Sequence, residues 1–148
     1  MASRRKGRIL AFQALYSWEA SRAEPIEVAS FSWLDQDKKD SLDPVTSNFS
    51  RLLVFGTIEN IFPVDDMIRR HLENWDFSRL NKVDLAVLRI SVYTLMYQQD
   101  IPPSIVIDEA IGISKEFGTD DSYRFINGVL DGIRKTMELE SAPPSQGD

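Results

Sequence analysis

The chain contains no cysteine, a single histidine and no apolar stretch long enough to cross a bilayer. Without cysteine there is neither a disulfide framework nor thiolate-based metal or redox chemistry. With His71 as the only histidine, a metal site built from several histidines is excluded. A membrane span needs about 18 apolar residues, and no secretory signal peptide is recognisable after the first basic residues. These absences favour a cytoplasmic protein that does not contact a membrane.

Charge is distributed unevenly along the chain. The 148 residues carry 17 basic and 23 acidic side chains, a formal net charge of −6. Four basic residues lie within the first eight positions, where there is no acid, namely Arg4, Arg5, Lys6 and Arg8. Because the rest of the chain is acidic, nucleic acid would be attracted to this end and repelled elsewhere. The alternative is a frayed basic terminus without a function.

Apolar residues recur at helical spacing almost throughout, and no segment alternates convincingly as a strand. The sequence therefore predicts an all-α fold of about seven helices. The segment 79–97 is apolar nearly all round, which is typical of a helix enclosed by its neighbours. The predicted helices cover residues 3–22, 25–34, 45–72, 79–97, 104–117 and 119 onward.

The joints between these helices contain proline, glycine and short polar residues. The polar segment 35–44 is expected to be a mobile loop, and Pro63 is expected to kink a helix or begin a new one. Ser78 is the expected N-cap of the segment 79–97, Thr119 or Asp120 of the last helix. Gly118 is expected to end the preceding helix in a left-handed conformation.

The same pattern predicts a division of the chain. Residues 1–77 are expected to form an N-terminal helical subdomain with a basic edge, and residues 78–140 a C-terminal helical subdomain. The segment 141–148, rich in small and polar residues, is expected to be a disordered tail.

No group of residues points to catalysis. The adjacent acids Asp108 and Glu109 project about 100° apart on a helix and do not form an acid–base pair, and the same holds for Asp120 and Asp121. There is no glycine-rich phosphate loop, nucleophile elbow or metal-ligand spacing. The sequence predicts that the chain is not an enzyme and needs neither a metal nor a cofactor.

Binding of nucleic acid is the more promising chemistry. Arg4, Arg5 and Arg8 can share one surface of the first helix, and arginine forks suit phosphates and unpaired bases. Polar Gln13 lies further along that helix. Arg124 and Phe125 offer a second pairing of a cation with an aromatic ring. Phe125 is open to two interpretations, a residue at the edge of the core or a platform for base stacking.

Three further polar residues stand among apolar ones. Asp84 and Arg89 interrupt the segment 79–97, and a buried charge is costly unless it is paired. One interpretation of these charges is an internal salt bridge, formed in the case of Arg89 with Asp108 or Glu109. Another is that Asp84 lies at a polar edge of the helix and faces a partner protein. Tyr16 suits a core boundary and an interface equally.

Taken together, these segments resemble the NusB family of transcription antitermination factors. The resemblance spans residues 3 to 134, is weak across the second helix and the acidic loop, and departs from the family pattern at Pro63 and around residues 75–79. Its motifs are RRKGR (4–8), FQALYSW (12–18), VLRI (87–90), IDEAI (107–111), FGTDDS (117–122) and FINGVLD (125–131).

The resemblance implies an all-α fold of two small helical bundles packed side by side. It also implies a non-catalytic protein that pairs with NusE, a small-subunit ribosomal protein, and with it holds single-stranded boxA RNA of ribosomal RNA leaders. RNA polymerase in this antitermination complex then resists termination. The RNA-binding residues it implies, together with those from the basic-helix argument, are Arg4, Arg5, Lys6, Arg8, Gln13, Arg124 and Phe125. The partner-binding residues it implies are Tyr16, Asp84 and Asp121. The alternative is a helical scaffold or homo-oligomer that does not bind RNA.

Overall fold

The computed structural model describes residues 3–141 and contains eight α-helices, one 3-10 turn and no strand within that range. This confirms the predicted all-α fold. Residues 142–148, most of the predicted disordered tail, lie outside the described residues, whereas Ser141 is the last residue of a helix. The helices are α1 (Arg4–Ser21), α2 (Pro25–Val28), α3 (Gln36–Asp40), α4 (Pro44–Glu59), α5 (Ile61–Arg69), α6 (Lys82–Tyr97), α7 (Pro103–Phe117) and α8 (Ser122–Ser141), with the 3-10 turn at Phe77–Arg79.

Helix α6 lies at the centre of the molecule. It packs against α1, α4, α5, α7 and α8, as its apolar surface predicts, while α1 also packs on α4 and α7 pairs with α8. Buried apolar residues from both sides of the expected boundary at residue 77 form one continuous cluster. The division into two subdomains stays a prediction. None of the helices among residues 3–141 combines the length and apolar character that a bilayer crossing requires.

Several helix ends differ from the prediction. A short helix, α3, replaces the expected loop because the Asp35 carboxylate caps it, accepting from the Lys38 N–H at 2.8 Å. Helix α2 ends early, at Val28, and the chain then passes through Phe31 with a left-handed φ of 56°. The last turns of the predicted helix 25–34 are therefore irregular structure that holds the Phe31 ring in the core.

The entry to α6 also departs from the prediction. Asn81, not Ser78, caps it by accepting from the Val83 N–H at 2.8 Å, while Asp76 caps the preceding 3-10 turn. Gly118 ends α7 with φ −93° and ψ −168°, an extended conformation rather than the expected left-handed one.

Pro63 begins a new helix rather than kinking an existing one. Helix α4 ends at Glu59, and α5 starts at Ile61, so Pro63 occupies the third position of α5. The first N–H groups of a helix have no partner within it, so proline costs little there.

Arg89 lies at the centre of a buried ion-pair triad that joins three helices. Its guanidinium is 2.9 Å from Asp65 of α5, to which it donates twice, and 2.9 Å from Glu19 of α1. The Trp18 and Phe77 rings lie 5.5 and 5.9 Å from the same guanidinium. The expected pairing of Arg89 with Asp108 or Glu109 was therefore wrong, because the side chain leaves α6 on the side of α1 and α5.

Removing Arg89 should strongly destabilise the fold. Arg89→Ala leaves Asp65 and Glu19 without their shared cation, a change that costs about 3–5 kcal/mol when a buried pair is broken. Urea unfolding followed by circular dichroism measures this loss. The control is Arg22→Ala, which removes an exposed cation from Glu19 and should cost at most about 1 kcal/mol. Equal losses for the two variants would contradict a structural role for the buried triad.

Candidate nucleic-acid interface

The basic run is part of a folded element. Ser3 caps α1 by accepting from the Lys6 N–H at 3.1 Å, and its own N–H donates to the Thr46 hydroxyl of α4 at 2.9 Å. Arg4, Arg5 and Lys6 occupy the first turn of α1 with exposed side chains. We call these three residues the basic turn. Their charge is held on a capped helix end that is tied to α4.

Arg8 does not share this exposed surface. It is 9% exposed, and it lines a small cavity with residues of α4, α6 and α7. Its guanidinium lies 5.5 Å from the centre of the Phe49 ring, over which Arg4 also lies at 5.1 Å. Burial lowers the pKa of Arg8, an effect that the nearby Glu109 carboxylate partly offsets. The expected grouping of Arg4, Arg5 and Arg8 on one accessible face is therefore incorrect for Arg8.

Gln13 and Tyr16 lie on α1 beside an open apolar groove of about 360 Å³. Tyr16 is 49% exposed, and Gln13 is half-buried. Phe117 also lines the groove, and its ring lies 5.2 Å from that of Phe12. Trp33 lines it as well, and its ring meets that of the left-handed Phe31 edge-on at 5.5 Å. This α1 groove is lined by Phe12, Gln13, Tyr16, Ser17, Trp33, Val83 and Phe117.

A second concavity, of about 510 Å³, lies between the start of α6 and the start of α8. Phe125 is half-buried there, and its ring meets that of the exposed Trp75 edge-on at 5.5 Å. Asp121 is exposed at the rim. This α6–α8 cleft is lined by Trp75, Arg79, Leu80, Asn81, Asp84, Thr119, Asp121, Ser122 and Phe125.

Asp84 has the least hydrated carboxylate of this cleft. The residue is 7% exposed, and its Oδ1 atom is buried without a hydrogen-bond partner. Burial raises the pKa of Asp84, and the neighbouring Ser122 hydroxyl counters only part of that effect. No cation among the described residues forms an ion pair with it. The salt bridge that was one interpretation of Asp84 is thus absent from residues 3–141.

Arg124 points away from Phe125 towards another ring. Its Nε donates to the Tyr123 hydroxyl at 2.9 Å, and the Lys115 ammonium lies 4.9 Å from the centre of the same ring. Arg124 is exposed and Tyr123 half-buried. The expected pair of Arg124 with Phe125 is therefore an Arg124–Tyr123 pair.

The structure brings the predicted site residues together in an unexpected grouping. Gln13, expected to contact RNA, shares the α1 groove with Tyr16, expected to contact a partner. Phe125 shares the α6–α8 cleft with Asp84 and Asp121. Groove and cleft adjoin, because consecutive α6 residues Val83 and Asp84 line one and the other.

Sequence reasoning missed the aromatic walls of both concavities. Trp33 and Trp75 are 41% and 61% exposed, and Tyr123 lies between two cations. A large aromatic residue within a polar joint, as in Asn74–Ser78, was a signal that could have identified Trp75.

The described residues contain no cluster of side chains able to hold a metal ion. The arrangement offers exposed cations and open aromatic rings, which are the elements of a binding surface.

These features define an all-α binding protein, and comparison with known proteins identifies the family. The model of the NusB family matches residues 5–135, so the chain belongs to the NusB family. It is 51% identical over 133 residues to the transcription antitermination protein NusB of Treponema pallidum strain Nichols, covering 90% of this chain and 93% of the relative. The NusB of Treponema denticola is 53% identical over 131 residues, covering 88% and 95%. Membership confirms the predicted family and a non-catalytic transcription factor rather than an enzyme.

Solved structures agree with this family. NusB of T. maritima matches with a TM-score of 0.80 at 37% identity, over 95% of this chain and 99% of that one. A chain from a crystal structure of the antitermination factors NusB and NusE in complex with double-stranded RNA matches with a TM-score of 0.79 at 26% identity, over 90% and 96%.

The buried Asp84 carboxylate should make the effect of its removal depend on pH. Above its raised folded-state pKa, Asp84 is ionised in a poorly hydrated place, which destabilises the fold. Below the pKa of the unfolded chain, about 3.9, it is neutral in both states and this penalty vanishes. The stability of wild type relative to Asp84→Asn should therefore rise as the pH falls from neutral towards that value.

Urea unfolding of both proteins at several pH values measures this difference. The control is Asp121→Asn, which removes an exposed carboxylate from the same cleft. A difference between wild type and Asp84→Asn that is constant with pH would show that the buried carboxylate is not destabilised in the fold.

Proposed function

We propose that this chain is an antitermination factor that pairs with NusE and, with it, binds boxA RNA of ribosomal RNA leader transcripts in the cytoplasm. The observation that carries the proposal is the basic turn, three exposed cations fixed at the capped end of α1 in an otherwise acidic chain. The likeness to a chain crystallised with NusE and RNA supports it.

Arg4, Arg5 and Lys6 are the proposed contacts to phosphate, because they are exposed and share the first turn of α1. Arg8 is enclosed beside Phe49, and its proposed role is to support the basic turn rather than to contact phosphate. Gln13 lies on the same helix, about two turns beyond the basic turn, and lines the α1 groove. It is proposed to contact RNA that follows α1.

The start of α8 supplies the second proposed RNA contact. Phe125 already forms an edge-on contact with Trp75, and both rings face an open cleft in which a base can stack. Arg124, held by the Tyr123 hydroxyl, places a cation on the adjoining surface. Stacking of this kind accepts any base, because every base presents a π face.

NusE is proposed to cover the α1 groove and the rim of the cleft. Tyr16 offers an exposed ring with a hydroxyl group, and Asp121 offers an exposed carboxylate. The acidic charge of the chain outside the basic turn suits a basic ribosomal protein. Asp84 lines the cleft but is buried. We therefore propose that it contacts NusE only where a hydrogen-bond donor of NusE enters the cleft.

The decisive test is binding of labelled boxA RNA at several salt concentrations, with and without NusE. Three phosphate contacts to single-stranded RNA predict a slope of log K against log salt of about −2, from roughly 0.7 per contact. A partner that adds contacts to the same RNA raises its affinity. Salt-independent binding would contradict the phosphate contacts of the basic turn. No binding with NusE present would leave the chain a helical scaffold that does not bind RNA.

Removing two cations of the basic turn should flatten this salt dependence. Arg4→Ala with Lys6→Ala is expected to reduce the slope by about 1.4 and to weaken binding most at low salt. The matched control is Lys38→Ala with Lys39→Ala, which removes the same charge from α3. If both double variants lose the same affinity, net charge rather than the basic turn determines binding.

Phe125 should contribute through its aromatic ring. Phe125→Leu retains an apolar side chain in the cleft but removes the ring, and stacking on aromatic residues contributes about 1–3 kcal/mol per base. RNA affinity is therefore expected to fall by about tenfold while the unfolding midpoint changes little. An unchanged affinity would identify Phe125 as a residue of the core edge only.

A further inference from the structure

Arg5 is held by two carboxylates of its own chain. Its guanidinium lies 3.8 Å from Glu109 and 3.8 Å from Glu116, both on α7. These acids are seven positions apart, two turns of helix, so they stand on the same face of α7 with Gly112 between them. The Arg5 side chain is 49% exposed, and it lies across α7 rather than extending into solvent.

Gly112 makes room for this arrangement. A Cβ atom at that position would lie 2.9 Å from one terminal nitrogen of Arg5 and 3.1 Å from the other. Glycine is unfavourable inside a helix, yet here it allows a guanidinium to lie directly against the helix surface.

The two carboxylates differ in their surroundings. The Glu109 side chain is 26% exposed and lines a small cavity with the buried Arg8, so its charge acts on two arginines. The Glu116 side chain is 54% exposed and interacts with Arg5 alone among the ion pairs of the described residues. Glu109 is thus fixed beneath Arg5, whereas Glu116 is free to turn into solvent.

We propose that Glu116, with Glu109 beneath it, is an internal competitor for RNA phosphate at Arg5. This inference rests on the proposed function. At 3.8 Å neither carboxylate forms a short hydrogen bond with Arg5, so both arginine donors remain available for a phosphate that displaces Glu116. A polyanion that binds weakly does not displace Glu116 from Arg5. An RNA that is held in place by NusE and by the other RNA contacts of this chain does displace it.

The test compares affinity for boxA RNA, with NusE present, among variants of Glu116 and Arg5. Glu116→Gln keeps the shape of the side chain and is expected to bind RNA about two- to fivefold more tightly, the range of an exposed ion pair. The matched control is Asp108→Asn, which removes the same charge from α7 but faces α8. In the Arg5→Ala background, Glu116→Gln is expected to have no effect, because the competition needs the arginine.

A measurement without RNA separates this inference from the proposed function. The Arg5 Nε–Hε resonance, assigned by its loss in Arg5→Ala, should move in Glu116→Gln and stay in place in Asp108→Asn. An unmoved resonance, or a Glu116→Gln affinity equal to that of Asp108→Asn, overturns the competition. A gain that persists without Arg5 also overturns it, because it shows a general charge effect. Absence of RNA binding by the wild-type complex overturns the proposed function itself.

Discussion

The architecture depends on one buried cation. Arg89 leaves the central helix α6, with its side chain 2% exposed, and joins Glu19 of α1 to Asp65 of α5. Separated from either acid, it would be a charge of high free energy, so the three helices have one favourable arrangement. Helix α1 is a rod of 18 residues whose far end carries the basic turn. Because Glu19 is held in place, the direction of α1 is set, and with it the positions of Tyr16, Gln13 and the arginines along that helix.

The major helices could be predicted from the sequence because their apolar residues repeat over many turns. The segment 79–97 has no polar face wide enough for solvent, and the structure encloses it accordingly. The errors lie where one or two local contacts decide. Ser78 and Asn81 are both good caps, and Asn81 caps the helix, which begins at Lys82, because Leu80 is drawn into the core as extended chain. The repeat of apolar residues along a helix does not indicate which of two neighbouring residues caps it.

The charges of the candidate site could be predicted from the sequence, whereas the contacts of its side chains could not. A basic run at one end of an acidic chain is visible in the sequence, and so is the family resemblance. The inward path of Arg8 follows from Gly7, where a Cβ atom would lie 2.6 Å from the Phe49 ring, so α1 and α4 approach closely. Which acids face Arg89 depends on helix packing between segments distant in sequence. Trp33 and Trp75 form part of the concave surfaces for the same reason.

The three tryptophans are placed so that the protein carries its own optical reporters. Trp18 is buried beside Arg89, whereas Trp33 lines the α1 groove and Trp75 the α6–α8 cleft. Emission from the buried indole responds to unfolding, and emission from the two exposed indoles responds to whatever covers those concavities. Replacing either exposed tryptophan with phenylalanine leaves a reporter for the other. Assembly on each surface can thus be followed separately in an unlabelled chain.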